Sequence, residues 1–215
     1  MAARPIIIDC DPGQDDAINL LLAMSSPDEL EIQGITTVAG NVPLALTERN
    51  ARQICDIAGL GDTRVFAGCA QPMQRSLLTA EKVHGNSGID GIAIAEPHTP
   101  LEKQHAVDFL IETLLSADDA VTLVPTGPLT NIGTAFQREP SIVSRVAEIV
   151  LMGGAMREGG NYSPSAEFNI FVDPHAADIV FRCGRPITVF GLDATHQVLA
   201  TEERRARIRA IDSEA

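Results

Sequence analysis

Short apolar stretches alternate with amphipathic stretches along most of the chain. The apolar stretches are rich in β-branched residues, as in strands that are covered on both faces, and the segments between them repeat apolar residues at helical spacing. The pattern predicts strands at 5–8, 30–38, 65–67, 120–124, 147–152 and 187–190, and helices at 17–24, 44–58, 103–115, 129–138, 174–182 and 201–211. We expect the segments 68–100 and 153–169 to be mostly irregular.

This alternation of strands and helices predicts an α/β fold, with an open, mostly parallel sheet and helices on both faces. Sheets of this kind bind their ligands at the carboxyl ends of the strands, so chemistry is expected there. The 215 residues contain no internal repeat and suit a single domain, 1–215.

The densest chemical signal is the run 9–16, which reads Asp-Cys-Asp-Pro-Gly-Gln-Asp-Asp and holds four carboxylates. It lies where the first predicted strand ends and the first helix begins. The helix dipole favours a nearby anion by only ~0.3–1 kcal/mol, which is too little to offset repulsion among partly buried carboxylates. A hard cation removes this conflict, and ligands that are all oxygen select calcium or magnesium over zinc. The alternative is that Asp15 only caps the helix and the other carboxylates are solvated.

Composition narrows the possible partners. The chain has 16 Lys and Arg against 29 Asp and Glu, a formal net charge of −13, and only 4% aromatic residues. Such a surface repels phosphate backbones and offers few rings for base stacking, so nucleic acid is excluded as a partner. The sequence has no signal-peptide pattern and no apolar run of membrane-spanning length, and its four cysteines are scattered, so we expect no membrane association and a cytoplasmic protein.

The acidic run also carries a resemblance. Together with the motifs that follow it, this run resembles the inosine–uridine nucleoside hydrolases, and the resemblance extends almost from end to end of the chain. The resemblance implies the open parallel, Rossmann-like sheet of that family. The further motifs are Thr-Val-Ala-Gly-Asn at 37–41, His-Gly-Asn-Ser-Gly at 84–88, Val-Pro-Thr-Gly-Pro-Leu-Thr-Asn at 124–131, Met-Gly-Gly at 152–154, Ala-Glu-Phe-Asn at 166–169 and Gly-Leu-Asp-Ala-Thr-His-Gln at 191–197.

The resemblance implies a calcium site and a reaction. The carboxylates of Asp11 and Asp16 and the main-chain carbonyl of Thr126 match calcium ligands of the family, and Asp11 matches the general base that activates water. The implied reaction is hydrolysis of the N-glycosidic bond of a small-molecule ribonucleoside, which gives ribose and a free purine or pyrimidine base. A transition state resembling an oxocarbenium ion needs this nearby negative charge and an activated water.

The remaining matched positions imply contacts to the substrate. His84 lies in a loop that is near the base in the family, where it could aid protonation of the leaving group or recognition of the base. A homodimer or homotetramer is also implied. The positions that match contacts to the sugar are Asp15, Asn41, Met152, Asn161, Glu167, Phe168 and Asn169.

The match breaks at the carboxyl end. Members of the family continue past residue 215 with a His-Asp pair that supplies a further calcium ligand and a candidate acid, so the resemblance implies a chain truncated there. An alternative function is therefore a catalytically impaired protein that binds nucleosides or ribose without cleaving them. A third hypothesis is an Asp-x-Asp phosphatase based on Asp9 and Asp11, although the Pro-Gly turn and the pair Asp15 and Asp16 fit it poorly.

Overall fold

The computed structural model describes residues 2–91 and 95–211 and contains a seven-stranded sheet in which every recorded strand pairing is parallel. This confirms the predicted α/β fold with an open parallel sheet. The strands in chain order are β1 (Arg4–Cys10), β2 (Leu30–Thr37), β3 (Val65–Ala67), β4 (Leu101–Glu102), β5 (Val121–Pro125), β6 (Val146–Met152) and β7 (Ile187–Phe190).

Helices connect most of these strands. A 3₁₀ helix (Pro140–Arg145) precedes β6. The α-helices are α1 (Gln14–Met24), α2 (Leu44–Ile57), α3 (Glu81–His84), α4 (Ala106–Ser116), α5 (Thr130–Arg138), α6 (Phe168–Val172), α7 (Pro174–Phe181), α8 (Leu192–Thr195) and α9 (Glu202–Arg209).

The strand order places the site. It runs β4-β3-β2-β1-β5-β6-β7, so the chain moves toward one edge after β1 and toward the other edge from β5 onward. The connections leaving β1 and β5 therefore diverge, and a crevice opens between the carboxyl ends of these two strands. Asp9 pairs with Pro125 in the register of the two strands, which brings residues 9–16 next to the turn that begins at Thr126.

The core lies on both faces of the sheet because β1 alternates its side chains between them. Ile6, Ile8 and Cys10 pack with α1 and α2 on one face, whereas Ile7 belongs to the larger cluster that includes α4, α5 and α7. These β1 side chains are at most 3% exposed. At roughly 1.5–3 kcal/mol for each fully buried aliphatic side chain, this packing holds β1 rigidly beneath the site.

The sequence predictions were wrong at several places. The helix predicted at 103–115 begins at Ala106, since His105 Nδ1 accepts the backbone N–H of Val107 at 3.2 Å as an N-cap, and the short strand β4 comes before it. The segments predicted to be mostly irregular, 68–100 and 153–169, are so among their described residues, apart from α3 and the first two residues of α6. Short elements of this kind carry too few residues to show a period in the sequence.

Among residues 2–91 and 95–211, no helix is both long and apolar enough to span a bilayer. The expected cytoplasmic location stays a prediction.

Candidate active site

Asp11 follows directly after β1 and is seated between two glycines. Its Oδ2 accepts the backbone N–H of Asn41 at 2.7 Å, and the Asn41 side chain donates to the Asp11 carbonyl at 2.9 Å. A Cβ at Gly40 would overlap Asp11 Oδ2, and a Cβ at Gly127 would lie 2.5 Å from Oδ1. The backbone therefore approaches both carboxylate oxygens more closely than any side chain would allow, which explains the glycines in the two turns that surround Asp11.

Asp16 lies in the first turn of α1, and its position depends on the turn after β5. The Thr126 hydroxyl donates to Asp16 Oδ1 at 2.6 Å, and the Thr126 N–H donates to the Asp9 carbonyl at 2.8 Å. Thr126 thus joins β1 to α1 across the crevice. Asp11 and Asp16 are 1% and 5% exposed, so both carboxylates are buried at its floor.

Burial changes the protonation of these carboxylates. The pKa of Asp16 is raised to about 7, first by burial and then by the charge of Asp15, against a lowering by the Thr126 hydroxyl. The pKa of Asp11 is also raised well above its ordinary value, by burial and then by the charge of Asp16. Two buried carboxylates that repel each other need a positive partner if both are to ionise near neutral pH.

The residues present fit a hard cation. Two carboxylates and the Thr126 carbonyl supply oxygen only, which suits calcium, and no Lys or Arg in the described part of the chain forms an ion pair with Asp11 or Asp16. Within 2–91 and 95–211, no three His, Cys, Asp or Glu side chains are grouped as a metal site. The ligands implied by the resemblance include only two carboxylates, those of Asp11 and Asp16, so a cation here would also need main-chain oxygen such as the Thr126 carbonyl.

Asp9 belongs to a second, deeper network that the sequence did not reveal. Its Oδ1 accepts from Thr36 Oγ1 at 2.6 Å and from Asn131 Nδ2 at 2.7 Å, while its buried Oδ2 has no hydrogen-bond partner among the described residues. Burial raises the pKa of Asp9 to about 7, although both donors lower it. Asn131 also donates to the Thr37 carbonyl and accepts from the Cys69 N–H, so this network ties the ends of β1 and β2 to α5.

Asn169 connects Thr126, a candidate cation ligand, to Met152, which is predicted to contact the sugar. Its side-chain amide donates to the Thr126 carbonyl at 2.8 Å and lies 3.3 Å from the Met152 carbonyl. A carbonyl oxygen has two lone pairs, so Thr126 can accept this bond and still bind a cation. Asn169 is 6% exposed, and its place beside Thr126 and Met152 is set by α6.

Glu167 is the N-cap of α6, a helix that begins inside the segment predicted to be mostly irregular. Its carboxylate accepts the backbone N–H groups of Asn169 at 2.9 Å, Ile170 at 3.2 Å and Gly154 at 2.9 Å. The group is 2% exposed, and burial raises its pKa in spite of these three donors. Glu167 thereby orients Asn169, and its role as a direct sugar contact stays a prediction.

Asn161 and Phe168 precede Asn169 in the chain and are hydrogen-bonded to each other. Asn161 Oδ1 accepts the Phe168 N–H at 2.8 Å, so the loop before α6 is fixed to the first residue of that helix. Phe168 is 8% exposed, with the ring of Tyr162 at 5.8 Å between centroids. Asn161 is exposed, and this bond orients its amide; its role as a sugar contact stays a prediction.

His84 lies beside the turn that joins β1 to α1. Its ring packs against Gly13, its Nδ1 lies 2.9 Å from Gln14 Oε1, and Asp15 is the exposed neighbour of this turn. The printed bonds thus join Asp11 to Asn41, Asp16 to Thr126, and Thr126 to Asn169 and Met152 at the carboxyl ends of the strands, while the roles of Asp15, His84, Asn161 and Phe168 stay predictions. The positioning residues Thr36, Asn131 and Gln14 were missed, because polar residues at strand ends and turns have no periodicity that marks a partner distant in sequence.

Comparison with known proteins gives the family. The family model described as inosine-uridine preferring nucleoside hydrolase matches residues 6–215. The pyrimidine-specific ribonucleoside hydrolase RihA of Photobacterium profundum is 49% identical over 98% of this chain and 67% of its own length. The inosine-uridine preferring nucleoside hydrolase of Crithidia fasciculata is 47% identical, again over 98% of this chain and 67% of its own length.

A solved structure agrees with the fold. The purine-preferring ribonucleoside hydrolase from Gardnerella vaginalis superposes with a TM-score of 0.92 at 37% identity, over 98% of this chain and 68% of that chain. The chain thus spans about two thirds of the length of the relatives that it matches. With this match over nearly all of its residues, the chain belongs to the inosine-uridine preferring nucleoside hydrolase family.

Proposed function

We propose that this protein hydrolyses the N-glycosidic bond of ribonucleosides and that it depends on calcium. The observation that carries the proposal is the pair of buried carboxylates, Asp11 and Asp16, held where β1 and β5 end, with Asp16 bonded to the Thr126 hydroxyl. A buried acidic pair with raised pKa values and no described cationic partner is costly for a fold, and it is expected where a cation and a reacting water bind.

Asp11 is the proposed base. Its carboxylate accepts a proton from water as the water oxygen forms a bond to C1′, and the electrons of the C1′–N bond pass to the departing base. The N–H of Asn41 fixes the acceptor oxygen Oδ2, so the Asp11 carboxylate needs little rearrangement. A bound calcium ion would supply positive charge to hold ribose hydroxyls and to lower the pKa of the water.

Other residues bind and orient the sugar in this proposal. Asn169 and Met152 lie together beside Thr126, and Asn161 and Phe168 form the adjoining wall. The exposed Asp15 and the buried Asn41 are the proposed contacts on the side of α1 and β2. Several hydroxyl contacts from different elements hold the ribose in one orientation, which lowers the entropic part of the barrier.

Uridine is the substrate to test first. The relative from Photobacterium profundum is named pyrimidine-specific and the relative from Crithidia fasciculata is named inosine-uridine preferring, and uridine satisfies both names. We also propose that residues 1–215 form a single domain and that the protein assembles as a homodimer or homotetramer.

The test is ribose release from uridine and from inosine, with calcium and with a chelator. We expect release only with calcium, and an Asp11→Asn variant that releases at least about 10³-fold less ribose, since it cannot accept the proton. Asp28→Asn, a change of an exposed carboxylate on a distant loop, is the matched control. Metal-dependent binding of uridine without any release would instead favour the nucleoside-binding alternative and would overturn the hydrolytic proposal.

A further inference from the structure

The side chains of Gln14 and His84 meet across 70 residues of sequence. Gln14 is the first residue of α1 and His84 is the last residue of α3. Gln14 Nε2 donates to the His84 main-chain carbonyl at 3.3 Å, and Gln14 Oε1 lies 2.9 Å from His84 Nδ1. One amide therefore contacts both the backbone and the ring of the same histidine.

This double contact determines which ring nitrogen carries the proton. A main-chain carbonyl can only accept, so the amide nitrogen must face it and the amide oxygen must face the ring. An amide oxygen can also only accept, so His84 Nδ1 must be the donor. A neutral imidazole with its proton on Nδ1 carries a lone pair on Nε2, and the structure gives Nε2 no hydrogen-bond partner within the described ranges.

The surrounding backbone holds the two groups together. The ring lies against Gly13, and a Cβ there would overlap Nδ1, so a side chain at position 13 would displace the His84 ring from this place. Asn50 Nδ2 donates to the Pro12 carbonyl at 3.0 Å and to the Ser87 carbonyl at 2.8 Å. These bonds join the loop after α3 to the turn before α1, so the pair is positioned by this packing as well as by its own bonds.

We propose that Gln14 is a positioning residue that fixes His84 in the tautomer protonated on Nδ1. In the neutral ring Nε2 is then a hydrogen-bond acceptor, suited to an N–H group on the edge of a nucleobase. His84 in this state recognises the base rather than donating a proton to it. The assignment of the tautomer depends only on the geometry, whereas the ligand depends on the proposed function.

Nitrogen-15 NMR of histidine-labelled protein tests the tautomer directly. Two-bond proton–nitrogen correlations of the neutral imidazole, recorded where the spectrum no longer changes with pH, should show His84 mainly protonated on Nδ1, and His84→Asn identifies its signals. Gln14→Met keeps the length of the side chain but removes the amide. The ratio of the two tautomers should then change by about fivefold toward Nε2–H, as expected for the loss of one hydrogen bond.

Gln104→Met is the matched control, because Gln104 bonds only to Glu112 on the surface in the recorded contacts and should leave the His84 spectrum unchanged. Wild-type protein protonated mainly on Nε2, or a spectrum that Gln14→Met does not alter, would overturn the proposal.

A second readout is uridine turnover, where we expect Gln14→Met to raise KM about fivefold and to change kcat less. A shifted tautomer in a chain that cleaves no nucleoside would support the role of Gln14 and contradict the hydrolytic function alone.

Discussion

At the scale of single residues, the site depends on how closely the backbone approaches Asp11. Two glycines from different turns, Gly40 and Gly127, border its two carboxylate oxygens, and neither has a positive φ. Their role is therefore to leave space, not to adopt an unusual conformation. Any side chain at either position would move Asp11 away from the Asn41 N–H that orients it.

Gly40→Ala should accordingly displace the Asp11 carboxylate. We expect a fall of about 10²-fold in kcat/KM for uridine, the usual effect of moving a catalytic group by about 1 Å, with a loss of about 1–3 kcal/mol in the free energy of unfolding. Gly61→Ala is the matched control, since a Cβ there would lie 3.6 Å from its nearest neighbour, an ordinary contact. Equal kinetics for the two alanine variants would contradict this role of Gly40.

Ionisation of the buried Asp9 carboxyl should make the metal-free protein less stable as pH rises. Its pKa is about 7 in the folded protein against 3.8 ordinarily, so its contribution is fully present below pH 3.8 and is lost as pH rises through about 7. At about 1.4 kcal/mol for each pKa unit, the change is on the order of 4 kcal/mol. Denaturant unfolding with a chelator, measured from pH 4 to 8, should show this fall, and Asp9→Asn should make it shallower.

The asparagine variant is informative because it keeps Oδ1 available to Thr36 and Asn131 but cannot ionise. At pH 8 it should unfold at a higher denaturant concentration than the wild type. The same slope for wild type and variant would mean that Asp9 does not titrate in this range.

At the scale of secondary-structure elements, close contact between α5 and α7 reverses an ordinary propensity. Gly133 lies inside α5. In the interior of a helix, alanine is normally more favourable than glycine by ~1 kcal/mol. Here a Cβ would lie 2.8 Å from both the Cα and the Cβ of Ala176 on α7. Since backbone cannot move aside easily, we expect Gly133→Ala to destabilise the protein by ~1–3 kcal/mol in urea unfolding. Gln137→Ala, on the exposed side of α5, should change stability by less than ~0.5 kcal/mol, and a stabilised Gly133→Ala would refute the packing argument.

Most strands and long helices could be predicted from the sequence, whereas several of the shortest elements could not. The predicted strands at 65–67 and 187–190 have the same bounds in the structure, and β2, β6 and α2 differ from the predicted 30–38, 147–152 and 44–58 by one residue each. The two-residue strand β4 and the five-residue helix α6 exist because of tertiary contacts such as the Glu167 cap, which the sequence does not display. Likewise, the sequence alone could place Asp11 and Thr126 at strand ends. It could not predict the pairing of Gln14 with His84, because the two residues are 70 positions apart and only the fold brings them together.

At the scale of the whole molecule, charge connects stability to metal binding. The protein carries a formal net charge of −13, so divalent cations will collect near its surface without any specific site. A specific calcium site must therefore be separated from this general effect. Substituting one buried carboxylate does so, since it changes the net charge by one unit and removes a proposed ligand.

Calcium should stabilise the wild type more at pH 8 than at pH 6. The raised pKa of Asp16, about 7, and of Asp11 mean that their contribution to metal-free stability is lost as pH rises through the folded pKa values. Calcium needs both groups ionised, so at pH 6 it must displace protons and binds more weakly. At a calcium concentration of about 100 times Kd, the gain in unfolding free energy should be about 2.7 kcal/mol.

The measurement is thermal unfolding at constant ionic strength, with calcium, with magnesium and with a chelator, at both pH values. Magnesium should raise Tm less, since it requires a tighter octahedral set than two carboxylates and a carbonyl provide. Asp16→Asn should lose nearly all of the calcium response, while Asp28→Asn, on the exposed loop before β2, should keep it. If Asp16→Asn responds to calcium as the wild type does, the stabilisation comes from the acidic surface as a whole, and Asp16 is not a ligand.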